Sequence, residues 1–216
     1  MSVNALYTDL SDYYDLMCAD INYVRHFIDY GYKSSGLDLN QPMLDKAKVR
    51  CPEAQFSLQN MSEFKVTEHL DLITCFLYSL HYCDGIDKLK ECLASVHNAL
   101  NVGGIFCFNT VDKNKIDSDS FVEHTATSEN SFFTFRSGWH YIGSGSKQLL
   151  KLSIEKTTAD NTLVWHDEHP MVAFSYTELK EALKPYFEFH IFEHDYDKIT
   201  PWAERSGNAI FVCVKI

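Results

Sequence analysis

No stretch of the 216-residue chain approaches the roughly 18 apolar residues that a membrane helix needs, so neither a spanning helix nor a membrane partner is expected. Positive charge is scarce as well: 19 Lys and Arg stand against 30 Asp and Glu, a net charge of −11, with the acids scattered along the chain. Phosphate backbones are bound by concentrated positive charge, so this balance argues against a nucleic-acid partner. None of the seven cysteines (18, 51, 75, 83, 92, 107, 213) forms a CxxC or another short pair. An odd, dispersed set set in apolar runs such as Ile73-Thr74-Cys75-Phe76-Leu77 reads as reduced thiols of a cytoplasmic protein. A basic segment followed by an apolar one is missing from Met1-Ser2-Val3-Asn4 onward, so no signal peptide is expected. Five prolines and nine glycines leave no low-complexity stretch or clear linker.

What the chain has is core: 45% of it is hydrophobic and 14% aromatic. At this length about 70% of the unfolded surface can be buried, which suits one domain with an appended subdomain. Residues 1–30 are helical in period, with Leu6, Leu10, Tyr13, Tyr14 and Met17 and then Val24, Phe27 and Ile28 recurring at three- and four-residue steps before Gly31. Tyr32 to Leu39 reads as a strand, and Asn40-Gln41-Pro42 leads into a helix from Met43 to Arg50. Ala54–Leu58 and the apolar run Leu70–Leu77 are strands, the latter of the kind covered on both faces. Residues 86–100 form an amphipathic helix, ended by Asn101-Val102-Gly103-Gly104 and followed by the strand Ile105–Asn109. Strands alternating with helices predict an α/β fold with a mainly parallel sheet. From about 112 the segments become alternating and aromatic, an antiparallel β insertion over 112–169. A helix at Tyr176–Leu183 and strands at Phe187–Glu193 and Ala209–Val214 close the chain, so 1–111 and 170–216 form the α/β core.

Six segments carry a resemblance: Tyr13-Tyr14-Asp15; Gly36-Leu37-Asp38-Leu39-Asn40 with Met43-Leu44 and Ala47; Gln59-Asn60-Met61 before Phe64; Leu70-Asp71-Leu72-Ile73; Ser79-Leu80-His81-Tyr82; and Leu100-Asn101-Val102-Gly103-Gly104. In this order the chain resembles the class I S-adenosylmethionine-dependent methyltransferases, especially those modifying small molecules. The resemblance implies a Rossmann-like sheet with helices on both faces, S-adenosylmethionine as cofactor and a small-molecule acceptor. It further implies that Asp38 takes the ribose hydroxyls, that Met43, Asn60 and Met61 flank the adenine, and that Tyr14 closes over the cofactor. An acidic side chain at the carboxyl end of a strand is suited to a ribose, although a turn carboxylate is the plain alternative. An amide at position 60, where the family usually has an acid, accepts the adenine amine's hydrogen bond more weakly.

One departure is large. The family's first strand and its glycine-rich loop are missing between Tyr23 and Val24, a gap on the order of 30 residues. That strand lies mid-sheet in the related fold, so its loss leaves backbone groups to be re-paired. The flanking strands can pair directly and narrow the sheet, a homodimer can exchange strands, or Ile21–Phe27 can be extended; direct closure or dimerisation is favoured.

Methyl transfer depends mostly on positioning, sometimes with a general base. His81, just past a buried strand, is the leading candidate to orient or deprotonate the acceptor; a buried core histidine is its alternative. His169, before Pro170, resembles a substrate-facing position of sugar-amine methyltransferases. The cluster His166-Asp167-Glu168-His169 splits between two strand faces, with Asp167 and His169 on one of them, and without a third ligand at defined spacing no metal is assigned. The same residues equally describe a non-catalytic descendant of the fold that has lost its cofactor.

Overall fold

The computed structural model describes residues 5–8, 10–17, 23–195 and 197–216. Cys18 and the Ile21-Asn22 part of the third repair lie outside them. The elements are helix α1 (Ser11–Met17), α2 (Tyr23–Asp29), β1 (Ser35–Asp38), α3 (Gln41–Arg50), β2 (Gln55–Leu58), β3 (Leu70–Cys75), α4 (Gly85–Ala99), β4 (Leu100–Val111), β5 (Val122–Ser128), β6 (Ser131–His140), β7 (Lys147–Thr157), β8 (Thr162–Val172), α5 (Tyr176–Leu183), β9 (Phe187–Glu193) and β10 (Asn208–Lys215). Among the described residues no helix is long and apolar enough to cross a membrane.

Among the described residues the strands fall into three sheets, ordered β1-β2, β3-β4-β10-β9 and β5-β6-β7-β8. β1 pairs in parallel with β2, from Ser35 opposite Gln55 to Asp38 opposite Leu58. β3 pairs in parallel with β4, while β10 runs antiparallel to both β4 and β9. The expected direct pairing of the strands beside the absent one is therefore corrected: among the described residues β1 pairs with β2 alone and β3 with β4 alone. Nor is the described part of the third repair extended, because Tyr23–Asp29 is helical. Its end is as the sequence indicates, with Gly31 at φ +87° and Tyr32 N–H returning to Phe27 O at 3.0 Å.

Two compact units emerge, one of residues 1–60, 119–138 and 150–169, the other of 61–118, 139–149 and 170–216. The core of the first gathers Leu6, Phe133, Phe135, Leu152 and Ile154, with Tyr7, Leu10, Tyr13, Tyr14 and Trp165 packed on it. In the second, α4 buries Leu89, Cys92, Leu93, Val96 and Ala99, the one face expected from their three- and four-residue spacing. Phe108 stacks on Phe211 at 5.2 Å across β4 and β10. α5 begins with a reciprocal capping box: Glu178 N–H donates to Ser175 Oγ (3.2 Å) and Ser175 N–H to Glu178 Oε2 (2.7 Å).

The turn read at Asn101–Gly104 also needs correction, since β4 runs from Leu100 without a break. Its pairing with β3 jumps from Leu70 opposite Leu100 to Leu72 opposite Ile105, and Gly103 at φ +76° absorbs the surplus residues as an irregularity inside the strand. Replacing Ser175 by Ala is expected to cost about 1 kcal/mol, and Phe211 by Ala about 3–5 kcal/mol; urea denaturation of the two variants checks the ranking.

Candidate functional site

In the first unit, the parallel pair β1-β2 ends at Asp38, with Gln59 N–H bonded to the Asp38 carbonyl at 3.1 Å. The chain then turns into α3 through Asn40, whose φ of −107° and ψ of 112° place it as the N-cap, with Pro42 in the first turn. Asn40 does not cap with its side chain. Instead its backbone N–H (2.8 Å) and its Nδ2 (3.1 Å) both donate to Asp38 Oδ1. One carboxylate oxygen thus builds the turn, as a turn carboxylate does, and the half-buried side chain keeps Oδ2 for another donor.

Beside this turn lies a cavity of about 280 Å³, lined on α3 by Met43, Leu44 and Ala47, on β1 by Gly36, Leu37 and Asp38, and on β2 by Phe56. Gly36 lets β1 pack closely on the Phe56 ring, which a Cβ would meet at 3.0 Å. Arg25 ties α2 to the end of α3: it donates to Glu53 Oε1 (2.6 Å) and Oε2 (2.9 Å) and to the Arg50 carbonyl (2.8 Å). This fork raises the Arg25 pKa and lowers that of Glu53, although both groups are solvent-exposed and the pair is screened.

The N-terminal segment belongs to the same unit. Lys46 on α3 is hydrogen-bonded to Asp12 on α1. Tyr14 on α1 meets Tyr7 edge to face at 4.9 Å, and the Tyr7 ring lies 5.2 Å from that of His169. His169 is fully buried, and its Nε2 lies 3.0 Å from Asp167 Oδ2. Asp167 Oδ2 also accepts the Leu6 N–H (2.9 Å), and Oδ1 accepts the Glu168 N–H (3.0 Å).

His81 lies in the second unit, in the 3₁₀ turn Ser79–Tyr82, and is fully buried. Its Nδ1 is 2.8 Å from the Val172 carbonyl, so Nδ1 carries the proton; Nε2 then accepts the Val111 N–H (3.2 Å) and the Thr110 hydroxyl (2.7 Å). The ring stacks on Phe174 at 4.4 Å, 2° from parallel, and the Gln148 amide nitrogen sits 3.0 Å from Nδ1. Burial pushes the pKa down to about 4, against a smaller upward pull from the Val172 bond, so the imidazole is neutral at pH 7.

Just before that turn, Leu77 and Tyr78 occupy the left-handed region at φ 54° and 60°, a strained pair of non-glycine residues directly after β3. They are held from three directions: Tyr78 N–H donates to Asn109 Oδ1 (3.0 Å), Asn208 Nδ2 to Tyr78 Oη (2.6 Å), and the His194 ring stacks on Tyr78 at 5.9 Å. His194 is drawn in through Asn109 Nδ2, 3.2 Å from its Nε2. Desolvation lowers its pKa.

Three comparisons bear on this arrangement. A family model described as a methyltransferase domain matches residues 14–104. Among solved structures, an S-adenosylmethionine-dependent methyltransferase from Clostridium acetobutylicum superimposes with a TM-score of 0.67 at 18% identity, over 97% of this chain and 98% of that one. The chain has the class I methyltransferase fold. An amino pentose methyltransferase from Micromonospora echinaspora shares that fold with a TM-score of 0.70 at 16% identity, over 84% of this chain and 73% of that one. In sequence, the dTDP-3-amino-3,4,6-trideoxy-alpha-D-glucopyranose N,N-dimethyltransferase of Streptomyces venezuelae is 25% identical over 97 residues, 45% of this chain and 41% of the relative. The dTDP-4-amino-2,3,4,6-tetradeoxy-D-glucose N,N-dimethyltransferase of Saccharopolyspora spinosa is 26% identical over 42% of this chain and 36% of its own length. The chain spans about two-fifths of the curated relatives it matches.

Of the residues singled out from the sequence, Asp38 and Met43 line one cavity. Tyr14 and His169 are linked through Tyr7. Asn60 follows β2 without lining the cavity, Met61 opens the second unit, and His81 sits in that unit. Tyr7 beside His169 has no signal in the sequence, whereas Asp167 as its partner is signalled by the strand face that the two share.

Because the folded protein holds His81 neutral, the unfolded chain binds more protons between about pH 6.5 and pH 4. Stability is therefore expected to fall as pH drops through that window, by up to about 3 kcal/mol from His81, with His194 acting in the same direction. Urea denaturation at several pH values should show a shallower decline for His81→Gln than for the wild type.

Proposed function

We propose that the chain is an S-adenosylmethionine-dependent methyltransferase acting on an amino group of a small, sugar-like acceptor. The observation that carries this reading is the cavity beside β1, where Asp38 commits Oδ1 to the turn and holds Oδ2 for a ribose hydroxyl. Met43 would pack its soft side chain on the adenine. Asn60, following β2, would serve the adenine end, and Tyr14 would cover the cofactor from α1. When bound, S-adenosylmethionine supplies an electrophilic methyl group: the acceptor's lone pair forms the C–N bond as the C–S bond breaks and its electron pair stays on sulfur. The nucleoside end fits these residues. Its methionine end finds no glycine-rich strand-to-helix turn among the described residues, the feature that favours the rival reading of a non-catalytic descendant.

His169 is assigned the acceptor proton. His81, with both ring nitrogens engaged, is assigned the orienting role, holding the Ser79–Tyr82 turn through the carbonyl of Val172 and the amide of Val111. The antiparallel segment 112–169 would supply the acceptor side of the site or an oligomer contact, with 1–111 and 170–216 as the catalytic core. A homodimer exchanging strands would cover the open edges of β1 and β3. The acidic charge and the dispersed thiols support a cytoplasmic protein without nucleic-acid or membrane partners.

Calorimetric titration with S-adenosylhomocysteine tests the reading. Micromolar binding that Asp38→Ala weakens at least about tenfold, as expected for loss of a charged hydrogen bond worth about 1.5–3 kcal/mol, supports it; no heat at millimolar ligand leaves the non-catalytic fold. Light scattering on the same sample gives the mass that decides on the dimer.

A further inference from the structure

We infer that Asn40 is the positioning residue for Asp38, pinning one oxygen of that carboxylate so that the other is left to the ribose of a ribonucleoside ligand. The inference rests on the methyltransferase reading of the cavity beside β1. Asp38 Oδ1 accepts the Asn40 backbone N–H at 2.8 Å and Asn40 Nδ2 at 3.1 Å. A carboxylate oxygen offers two lone pairs, and this one residue takes both of those on Oδ1. Among the described residues no other donor reaches the Asp38 carboxylate, so Oδ2 keeps its lone pairs for a ligand.

The Asn40 side chain forgoes another bond in doing this. Asparagine is favoured at a helix N-cap because its amide oxygen accepts a first-turn N–H. Asn40 holds the N-cap of α3 by backbone conformation, yet its side chain makes no cap bond. The Met43 and Leu44 N–H groups return instead to its carbonyl, at 3.1 and 3.2 Å, and Pro42 brings no N–H into the first turn. The helix start is thus closed by backbone, and the amide is turned back to the strand-end carboxylate. Truncating it leaves α3 these bonds and removes one from Asp38.

Strand and cavity fix the rest. Asp38 is the last residue of β1, opposite Leu58 of β2, and its carbonyl takes the Gln59 N–H at 3.1 Å. With its backbone and Oδ1 both held, the carboxylate has little rotamer freedom left to lose when a ligand binds, which favours binding. Asp38 lines the cavity together with Met43, Leu44 and Ala47 of the helix that Asn40 caps. The Asp38–Asn40 clamp therefore joins the strand wall of the cavity to its helix wall. A ribose hydroxyl donates to Oδ2; a ligand that lacks this hydroxyl leaves a half-buried carboxylate oxygen unpaired, and a polar site discriminates strongly in that case.

Calorimetric titration of the full chain with S-adenosylhomocysteine and with its 2′-deoxy analogue tests the assignment. Wild-type protein should prefer the ribose form about tenfold or more. Asn40→Ala should weaken S-adenosylhomocysteine about fivefold and leave the 2′-deoxy analogue nearly unchanged, narrowing the preference to about twofold. Its urea midpoint should stay close to that of the wild type, since no cap bond is lost. In an Asp38→Ala background the same change should add no further loss, because a residue that acts through another is not additive with it. Asn40→Asp keeps the shape and a favoured N-cap residue but sets a second carboxylate against Oδ1, so it should weaken binding more than Asn40→Ala. Equal weakening of both ligands by Asn40→Ala, or the same loss with and without Asp38, overturns the assignment. Wild-type protein that binds S-adenosylhomocysteine without preferring ribose also overturns it while leaving the methyltransferase reading intact. Wild-type protein that binds no S-adenosylhomocysteine removes that reading, and the assignment with it.

Discussion

Every backbone N–H and C=O of a parallel strand must find a partner, and a strand inside a sheet finds half of them on each side. Among the described residues β1 and β3 each have one hydrogen-bonded strand neighbour, and much of the rest of the fold follows from that. β1 and β2 are only four residues long, too little to stand as a sheet by themselves. Their stability comes from α2 and α3, from Arg25 joining α2 to the connection before β2, and from Phe56 packed hard against Gly36. In the second unit β3 leans on a longer scaffold, with β4 running for 12 residues and bonded on its far side to β10.

The elements legible in the sequence were those whose signal is local. α5, expected at about Tyr176–Leu183, is found there, with Ser175 and Glu178 bracketing its first turn and Tyr176, Leu179 and Leu183 buried. α4 and β10 were nearly as clear. β4 was misjudged at its start because Gly103-Gly104 looks like punctuation, and only the pairing with β3 shows that an irregular strand passes through it. β5 was missed since its residues are mostly exposed and polar; it is a strand because its register with β6, from Val122 opposite Ser137 to Ser128 opposite Ser131, gives its backbone a partner.

The candidate site divides along the same line. Asp38 and Met43 could be placed together because one strand-turn-helix carries both. The pairing of Leu6 with Asp167 spans 161 residues, beyond any periodicity or motif. His81 shows the other limit. A histidine after a buried strand suits either chemistry or structure, and the choice depends on Val172, Val111 and Thr110, none of them adjacent in sequence. The two buried histidines also differ in kind: His81 is bonded to backbone and hydroxyl groups and stacked on Phe174, whereas His169 has a carboxylate beside it.

The left-handed pair Leu77-Tyr78 has an implication for how the molecule could be altered. For side chains other than glycine that conformation costs about 1–2 kcal/mol per residue, so a glycine at either position would relax the backbone. At Tyr78 it would also erase the phenol that Asn208 reaches and the ring on which His194 lies. The relief there is set against the loss of those contacts, so the strained backbone persists because the side chains around Tyr78 hold it, and thermal selection alone gives no reason to remove the ring.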